Sequence, residues 1–408
     1  MKNEKVLLFI LAAIQFTSIM DFMVIMPLGP QLMRLFDITP HQFAMLVSAY
    51  TLSASVSNFA SAAFVDHFDR KHVLMTAYVG FVVSTLGCAL APTYMLLMVA
   101  RLVSGLFGGV LSGQIFAIVG DLVPLERRAG AMGIVMTSFS AATIFGVPFG
   151  LYIATLFGWH ATFLLLTGMS LVILALSHMF VPNVAAHISE RMAGHYWDLL
   201  RGIARHRNQF MALLLMGTLM ATQFMVVPFI SPYMVDNVGF TEFQLTYIYL
   251  IGGITTSILS PVIGRLADKF GRTRVFVISA LFAVIPIFLV THLPRVAIPV
   301  ALLVTTLFFV SVSGRFVPAI AMITATVQPR FRGGFMGMVS CVQHLAAALA
   351  SILSGVIVHK AVSGELLGYS VVGYVSIGFS VASLIIVRFV VPLDSSASTK
   401  NALPELSA

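Results

Sequence analysis

Four side chains that can carry a charge or exchange a proton lie inside long apolar stretches of the chain. Asp21 is the only carboxylate well within such a stretch, and Arg101, Arg315 and His344 lie in three others. A carboxyl that is balanced between burial, which favours its neutral form, and a nearby arginine, which favours its charged form, can bind and release a proton. A charged aspartate in the middle of a lipid-embedded helix costs on the order of 3 kcal/mol, so such a residue is a functional candidate.

Each of these residues also has a structural interpretation, which the sequence leaves open. Asp21 can form a fixed ion pair or remain a neutral, hydrogen-bonded acid, and Arg101 can extend its charge towards the membrane surface. Arg315 can bind an anionic group of a ligand or backbone carbonyls. His344 can titrate near neutral pH or be a packed polar residue. We predict that Asp21 and Arg101 couple a proton, with His344 as a secondary proton candidate.

The composition indicates the environment of these residues. Of 408 residues, 59% are hydrophobic and only 9% are charged, and the mean hydropathy is +0.99. Such values are typical of a membrane protein with many spans. The net charge of +8 lies mostly in short loops, which indicates membrane topology and argues against a nucleic-acid partner. We find no zinc spacing, phosphate-binding loop, nucleophile elbow or paired catalytic carboxylates, so we predict neither an enzyme nor a metal or cofactor.

Twelve apolar runs are long enough to cross a hydrocarbon core of roughly 30 Å. We predict spans 1 to 12 at residues 6–30, 41–65, 73–92, 95–120, 130–154, 160–181, 209–232, 243–266, 275–292, 297–326, 333–359 and 368–391. Residues 1–181 and 209–391 then form two six-helix bundles, joined by a cytoplasmic linker at 182–208 and followed by a cytoplasmic tail at 392–408. Counted along their helices, Asp21 and Arg101 fall at a similar depth, so they can pair directly or through water.

Positive charge is distributed unevenly between the predicted connections. Arg34, Arg295 and Lys360 lie on one side, and the other lysines and arginines of the connections lie on the opposite side. Cytoplasmic loops carry an excess of lysine and arginine, so we predict that both termini are cytoplasmic.

The two halves of the chain are copies of one unit. A shift of 202 residues places Asp21 on Gln223 and Phe22 on Phe224, and a shift of 201 places Gln114 on Arg315. Internal repetition of this kind defines the architecture. The position of Asp21 is therefore polar in both halves, but only the first half has a group that titrates there.

A short basic loop occurs at the same place in each unit. The second copy contains Gly264, Asp268, Gly271 and Arg272. The first copy has Asp66 and Arg70 at matching positions, but Asp69 where the second has a turn glycine. Two six-span halves that each carry this loop after their second span resemble the Major Facilitator Superfamily over essentially the whole chain. The resemblance implies an all-α membrane fold of twelve helices in two pseudo-symmetric six-helix bundles. It also implies that the loops are conformational switches that brace the halves in the outward-facing state.

Two further stretches resemble one branch of that family, the drug:proton antiporters. Arg101-x-x-x-Gly105 in span 4 is similar to a pattern of proton-coupled carriers. Gly146, Pro148 and Gly150 in span 5 are similar to the Gly-Pro-x-x-Gly pattern of antiporters, with one residue inserted. In this family spans 1, 4, 7 and 10 line the central cavity. The resemblance therefore implies a substrate site, for which the candidates are Phe22, Gln114, Gln223, Phe224 and Arg315.

We therefore predict a proton-coupled exporter of small amphipathic compounds or drugs that works by alternating access. A second hypothesis is uptake or facilitated exchange of a polar or anionic metabolite such as a sugar, nucleoside or amino acid, which Arg315 favours. A third is a membrane sensor or scaffold that transports nothing. The expected partners are the lipid bilayer, a small-molecule substrate and protons. The resemblance implies a monomer in a bacterial-type cytoplasmic (inner) membrane.

Overall fold

The computed structural model describes residues 4–64, 67–184, 206–327 and 332–391. Within these ranges, twelve helices are long and apolar enough to cross a membrane, which confirms the predicted all-α membrane fold. The first six spans contain the helices Glu4–Val24, Pro40–Phe64, Arg70–Ala89, Tyr94–Leu122, Leu125–Ala141 with Val147–Phe157, and Trp159–Phe180. The last six contain Arg207–Tyr233, Glu242–Phe270, Arg272–Thr291, Ile298–Thr324, Arg332–Ile357 and Tyr369–Ile386.

Span 1 is shorter than the sequence predicts. Its helix ends at Val24 instead of residue 30, and a separate short helix, Gly29–Leu35, follows. Prolines explain the break, because Pro27 has no N–H to donate within a helix and Pro30 is favoured in the first turn of the next one. Between spans 11 and 12, His359–Lys360 pairs antiparallel with Leu366–Leu367, a two-stranded ribbon that the sequence did not predict.

Two spans contain a π-helical turn. In span 5 the turn Ala142–Gly146 joins the two helical segments, and Pro148 lies in the first turn of the second segment. In span 7 the turn Met234–Val238 extends a helix that already contains Pro228 and Pro232. Proline interrupts the regular hydrogen-bond ladder, and π-turns are frequent at functional sites.

The halves contact each other along two pairs of spans. Span 2 packs on span 11, where Ser55 Oγ donates to the Cys341 carbonyl at 3.0 Å. Span 5 packs on span 8, where a side chain on Gly253 would meet the Thr143 carbonyl. Both contacts lie away from the ends of their spans, so they are in the middle of the interface between the halves.

We call the side with Glu4 and Val391 the terminal face, and the opposite side, with Arg34 and Glu242, the hairpin face. At the hairpin face, Arg34 of the first half forms an ion pair with Glu242 of the second. Gln31 Nε2 also donates to Glu242 Oε2 at 2.6 Å. Contacts between opposite halves therefore close the hairpin face in this structure. The predicted linker at 182–208 lies mostly outside the described residues, and the predicted tail at 392–408 lies wholly outside them.

Candidate functional site

Spans 1 and 4 place an ion pair inside the protein. Arg101 Nη1 donates to Asp21 Oδ2 at 2.8 Å and to the Asp21 backbone carbonyl at 3.0 Å. The carbonyl is available because Asp21 lies in the last turn of a helix that ends at Val24, where carbonyls lack intrahelical donors. Both side chains are 0% exposed. The two residues that the sequence predicts as proton-coupling partners are therefore in direct contact.

The hydrogen bonding of this pair is incomplete. Ser104, one turn after Arg101 on the same helix face, donates its hydroxyl to Asp21 Oδ2 at 2.8 Å. Asp21 Oδ1 is buried and has no hydrogen-bond partner among the described residues, and the same holds for Arg101 Nε and Nη2. Buried charges are stable only when their hydrogen bonds are satisfied. Oδ1 is thus the atom of the pair at which a proton can add without displacing a hydrogen-bond donor.

Span 2 covers the pair from a second side. The Arg101 guanidinium carbon lies 4.7 Å from the centroid of the Tyr50 ring, a cation–π arrangement. The Tyr50 hydroxyl lies 3.4 Å from Ser18 Oγ of span 1, so the ring is positioned by the helix that carries Asp21. Tyr50 therefore contacts both helices of the ion pair.

Glycines of span 4 permit this approach. A Cβ on Gly105 would overlap the Tyr50 carbonyl, and a Cβ on Gly108 would overlap the Tyr50 hydroxyl. Gly113, farther along the same helix, has nothing within 4 Å of its Cβ position. This packing explains the glycine in the Arg101-x-x-x-Gly105 pattern, because a larger residue would push Tyr50 away from Arg101.

The antiporter-type pattern of span 5 lies behind the same pair. A Cβ on Gly150 would lie 2.9 Å from Met20 Cε, and one on Gly146 would lie 3.1 Å from Met20 Sδ. Thr162 Oγ1 donates to the Gly150 carbonyl at 2.7 Å, which connects span 6 to the helical segment that has Pro148 in its first turn. The pattern therefore packs against the residue immediately before Asp21.

An aromatic contact joins the pair to the second half. Phe22, next to Asp21, lies 5.8 Å from Phe224 of span 7 between ring centroids. Phe22 also stacks on Tyr50 at 5.3 Å. A continuous set of contacts therefore runs from Arg101 through Tyr50 and Phe22 to Phe224. Phe22 and Phe224, both predicted substrate-binding candidates, are brought together across the boundary between the halves.

Arg315 has a different environment. It is 2% exposed in the middle of span 10. Its Nε donates to the Ser311 carbonyl at 3.2 Å and its Nη1 to Ser380 Oγ of span 12 at 3.4 Å. Among the residues that the structure describes, no carboxylate pairs with it. Arg315 and Gln223 line one pocket between spans 7 and 10, together with Leu219, Met220, Val312 and Phe316.

Two other candidates lie apart from the ion pair. Gln114 is 5% exposed, and its Oε1 has no hydrogen-bond partner among the described residues. The His344 Nδ1 lies 2.9 Å from the Ser340 carbonyl of its own helix, a contact that is ordinary for a packed histidine. Neither residue forms a hydrogen bond or an ion pair with Asp21 or Arg101.

The first copy of the basic loop is connected within its own half. Arg70 Nε donates to Asp121 Oδ2 at 2.5 Å. Asp69 begins span 3 by accepting the Lys71 N–H at 2.7 Å, and it also accepts the Val184 N–H at 3.2 Å. Asp66, the predicted switch acid of this copy, lies outside the described residues.

The second copy keeps the turn that glycine permits. Gly271 has φ +94°, a value that side chains disfavour, whereas Asp69 at the matching position has φ −58°. Arg272 lies 3.6 Å from Asp268, whose side chain is 72% exposed, and Arg272 Nη1 donates to the Ala321 carbonyl at 3.2 Å. Gly264 has no atom closer than 3.8 Å to its Cβ position. These contacts stay within the second half, as expected when the loop does not brace the halves.

Sequence reasoning missed Tyr50 and Ser104. Ser104 had a signal, because it lies three residues after Arg101 and so shares its helix face. Tyr50 had none, because its role depends on how closely spans 2 and 4 approach. The sequence alone determines neither the distance between spans 2 and 4 nor the orientation of the Tyr50 ring.

Comparisons with known proteins match nearly the whole chain to one family. The family model described as Major Facilitator Superfamily matches residues 11–254 and 212–406. The chain is similar to an uncharacterized MFS-type transporter, YwfA, of Bacillus subtilis (strain 168), with 27% identity over 90% of this chain and 86% of the relative. It is also similar to Multidrug resistance protein 2 of the same organism, with 23% identity over 87% of this chain and 89% of the relative.

Among solved structures, the chain is similar to the crystal structure of a D-xylose-proton symporter. The TM-score is 0.75 with 16% sequence identity, and the match covers 94% of this chain and 97% of that one. At this identity the likeness shows the fold alone.

Proposed function

The chain belongs to the Major Facilitator Superfamily, and from this premise we propose that it is a proton-coupled transporter that exports small amphipathic compounds. Membership makes the chain a secondary transporter with a small-molecule substrate in a lipid bilayer. The coupling ion, the direction of transport and the chemical nature of the substrate are what we add.

The observation that carries the proposal is the buried pair of Asp21 and Arg101, in which Asp21 Oδ1 lacks a donor. A proton on Oδ1 removes the negative charge, so Arg101 keeps its hydrogen bond to the Asp21 backbone carbonyl and its contact with Tyr50 but loses the ionic attraction. Because the mutual attraction of the pair offsets the cost of burying both charges, its loss weakens the link between spans 1 and 4.

A weaker link between spans 1 and 4 can affect the contact between the halves, because span 1 packs against that contact. Span 1 carries Met20 against span 5 and Phe22 against Phe224, on either side of Asp21. A shift of span 1 relative to span 4 therefore displaces packing at the boundary where the halves must move. We propose that protonation permits this movement, which opens the hairpin face by separating Arg34 from Glu242.

Export of amphipathic compounds has weaker support, from two sources. The Gly146, Pro148 and Gly150 pattern resembles that of antiporters, and a relative of this chain is named for multidrug resistance. Phe22 and Phe224 offer aromatic surface at the boundary between the halves. These features favour an amphipathic substrate over a small, fully polar one.

We also propose that the membrane is a bacterial-type inner membrane and that both termini face the cytoplasm, since most loop arginines lie on the terminal face. The protein then acts as a monomer of two six-helix bundles, 1–181 and 209–391. Its loops at Arg70, Asp268 and Arg272 brace the halves when the terminal face closes. In this orientation the hairpin face, where Arg34 pairs with Glu242, faces the outside of the cell.

Arg315 favours a second candidate function. A buried arginine without a carboxylate suits a polar or anionic metabolite, taken up or exchanged, because its planar donors bind carboxylates and phosphates. The two candidates share the fold and the ion pair and differ in substrate and direction.

Transport in liposomes tests the proposal. Purified protein is reconstituted with an internal pH dye, a pH gradient is imposed, and ethidium, benzoate, xylose and uridine are added in turn. We expect one class to accumulate against its gradient as protons move the opposite way. Asp21→Asn should abolish this accumulation yet leave downhill exchange, because asparagine mimics the protonated acid at similar volume.

Asp37→Asn is the matched control. Asp37 lies exposed in the connection after span 1 with φ +48°, a conformation that asparagine also tolerates, so transport should be unchanged. If Asp21→Asn still builds a gradient, the proton site lies elsewhere, with His344 next to test. If Asp21→Asn loses all binding, Asp21 belongs to the substrate site.

A further inference from the structure

We propose that Arg315 and Gln223 bind the anionic group of the transported compound, a carboxylate, phosphate or sulfonate, in the pocket between spans 7 and 10. That the bound anion is the transported substrate rests on the proposed transport function. The inference does not depend on proton coupling or on the direction of transport.

The first argument is the uncompensated charge of Arg315. The side chain is 2% exposed, and its two hydrogen bonds go to neutral oxygens of Ser311 and Ser380. Nη2 makes no hydrogen bond to a described residue. A guanidinium has five N–H donors and matches the two oxygens of a carboxylate or phosphate. A ligand that supplies those oxygens also supplies the missing negative charge.

The second argument is the surroundings of the arginine. Gln223 lines the same pocket from span 7, and its amide can donate to one more oxygen of an anion. The other lining residues, Leu219, Met220, Val312 and Phe316, are apolar. A few polar groups at one end of an apolar wall are typical of small-molecule sites, because the polar groups fix orientation. The polarity of the lining therefore matches that of an amphipathic anion.

The third argument is the contrast with Arg101. That arginine is also buried, but Asp21 already supplies its carboxylate. At the position that matches Asp21, the second half has Gln223, so an amide takes the place of the carboxylate. A bound anion would then neutralise the charge of Arg315, as Asp21 neutralises that of Arg101.

Binding to the full-length protein in lipid nanodiscs tests the inference without any pH gradient. Benzoate, phenyl phosphate and benzenesulfonate are titrated by calorimetry beside neutral benzamide and benzyl alcohol. We expect at least one anion to bind more tightly than both neutral compounds. Arg315→Gln, which copies Gln114 of the first half, should weaken that anion about tenfold to a hundredfold, as expected for hydrogen bonds to a charged group.

Two control variants make the result specific. Arg295→Gln removes the same charge at an exposed position of the hairpin face and should leave the affinity unchanged. Arg315→Lys keeps the charge but loses the planar fork, so its affinity should fall between those of the wild type and Arg315→Gln. If Arg315→Gln is not folded, Arg315→Lys alone decides, because unchanged affinity in that variant contradicts bidentate binding.

Two outcomes overturn the inference: no anion binds better than the neutral compounds, or Arg315→Gln binds the anion as well as the wild type. Asp21→Asn separates this result from the transport proposal. We expect that variant to keep anion binding while it loses proton-driven accumulation. Arginine-dependent binding without any proton-driven transport in the wild type would refute the proposed coupling and leave this site standing.

Discussion

The two halves of the protein each bury an arginine, but they stabilise it differently. In the first half, Arg101 has a carboxylate at 2.8 Å and an aromatic ring at 4.7 Å. In the second half, Arg315 has two neutral oxygens at 3.2 and 3.4 Å. The two arginines do not occupy equivalent positions of the repeat, since Arg315 matches Gln114. The first half thus pairs its buried arginine with a group that can exchange a proton, whereas the second half pairs Arg315 with no carboxylate among the described residues. Proton binding and ligand binding can then evolve in separate halves.

The loops of the terminal face show a second divergence between the halves. Gly271 keeps the left-handed turn at φ +94°, whereas Asp69 adopts an ordinary backbone and uses its carboxylate to hold Lys71 and Val184. The first loop has exchanged the flexibility of glycine for a side-chain anchor. The two loops therefore differ at this position but are alike in their arginines, since Arg70 and Arg272 each donate to a residue of their own half.

The largest expected effect comes from removing each arginine in turn. Arg101→Gln should destabilise the protein by about 3–5 kcal/mol, because it leaves the buried Asp21 carboxylate without its partner. Arg315→Gln leaves no charge unpaired, so stability should change by about 1 kcal/mol or less. Thermal unfolding of both variants in the same detergent, at a pH where carboxylates are charged, measures the difference. Equal destabilisation would erase the contrast that we draw between the halves.

A smaller effect should follow from loosening the tyrosine contact in the first half. Gly108→Ala places a methyl group where the Tyr50 hydroxyl lies, so the ring must move from Arg101 at a cost of about 1–3 kcal/mol. Gly113→Ala in the same helix has open space and serves as the matched control. Unfolding midpoints and proton-driven transport should fall in Gly108→Ala only. If both variants behave alike, close packing of spans 2 and 4 does not support the ion pair.

The smallest change makes the second half resemble the first. Gln223→Asp puts a carboxylate in the pocket of Arg315, where it competes with an anionic ligand for the guanidinium. We expect benzoate affinity to fall about tenfold or more, with stability within about 1 kcal/mol of the wild type. Gln223→Asn shortens the side chain equally but stays neutral, so it should retain most of the affinity. Calorimetric titration of the pair distinguishes charge from length, and equal losses would argue against competition for Arg315.

The sequence predicted the features that depend on local composition. Twelve apolar runs, the repeat and the depth of Asp21 and Arg101 were all readable, because spans must be long and apolar and charges within them are rare. Similar depth allowed the two residues to pair directly or through water, and the structure shows the direct contact. The end of span 1 was misplaced, since Pro27 and Pro30 were read as part of an apolar run.

Other features depend on distances between helices, which the sequence does not encode locally. The place of Tyr50 over Arg101 follows from the close approach that Gly105 and Gly108 permit. The environment of Arg315 depends on span 12, which places Ser380 rather than an acidic residue beside it. The ion pair between Arg34 and Glu242 joins residues 208 positions apart in the chain.

The lone charge of Arg315 also has an electrical consequence. A guanidinium stays protonated, so Arg315 carries a positive charge inside the helix of span 10. Moving one elementary charge through the whole membrane field is worth about 2.3 kcal/mol per 100 mV, and a partial movement is worth a proportionate fraction. A monovalent anion bound to Arg315 cancels that charge. If the proposed anion binds there, we expect membrane voltage to act more strongly on the return of the empty carrier than on the movement of the loaded one.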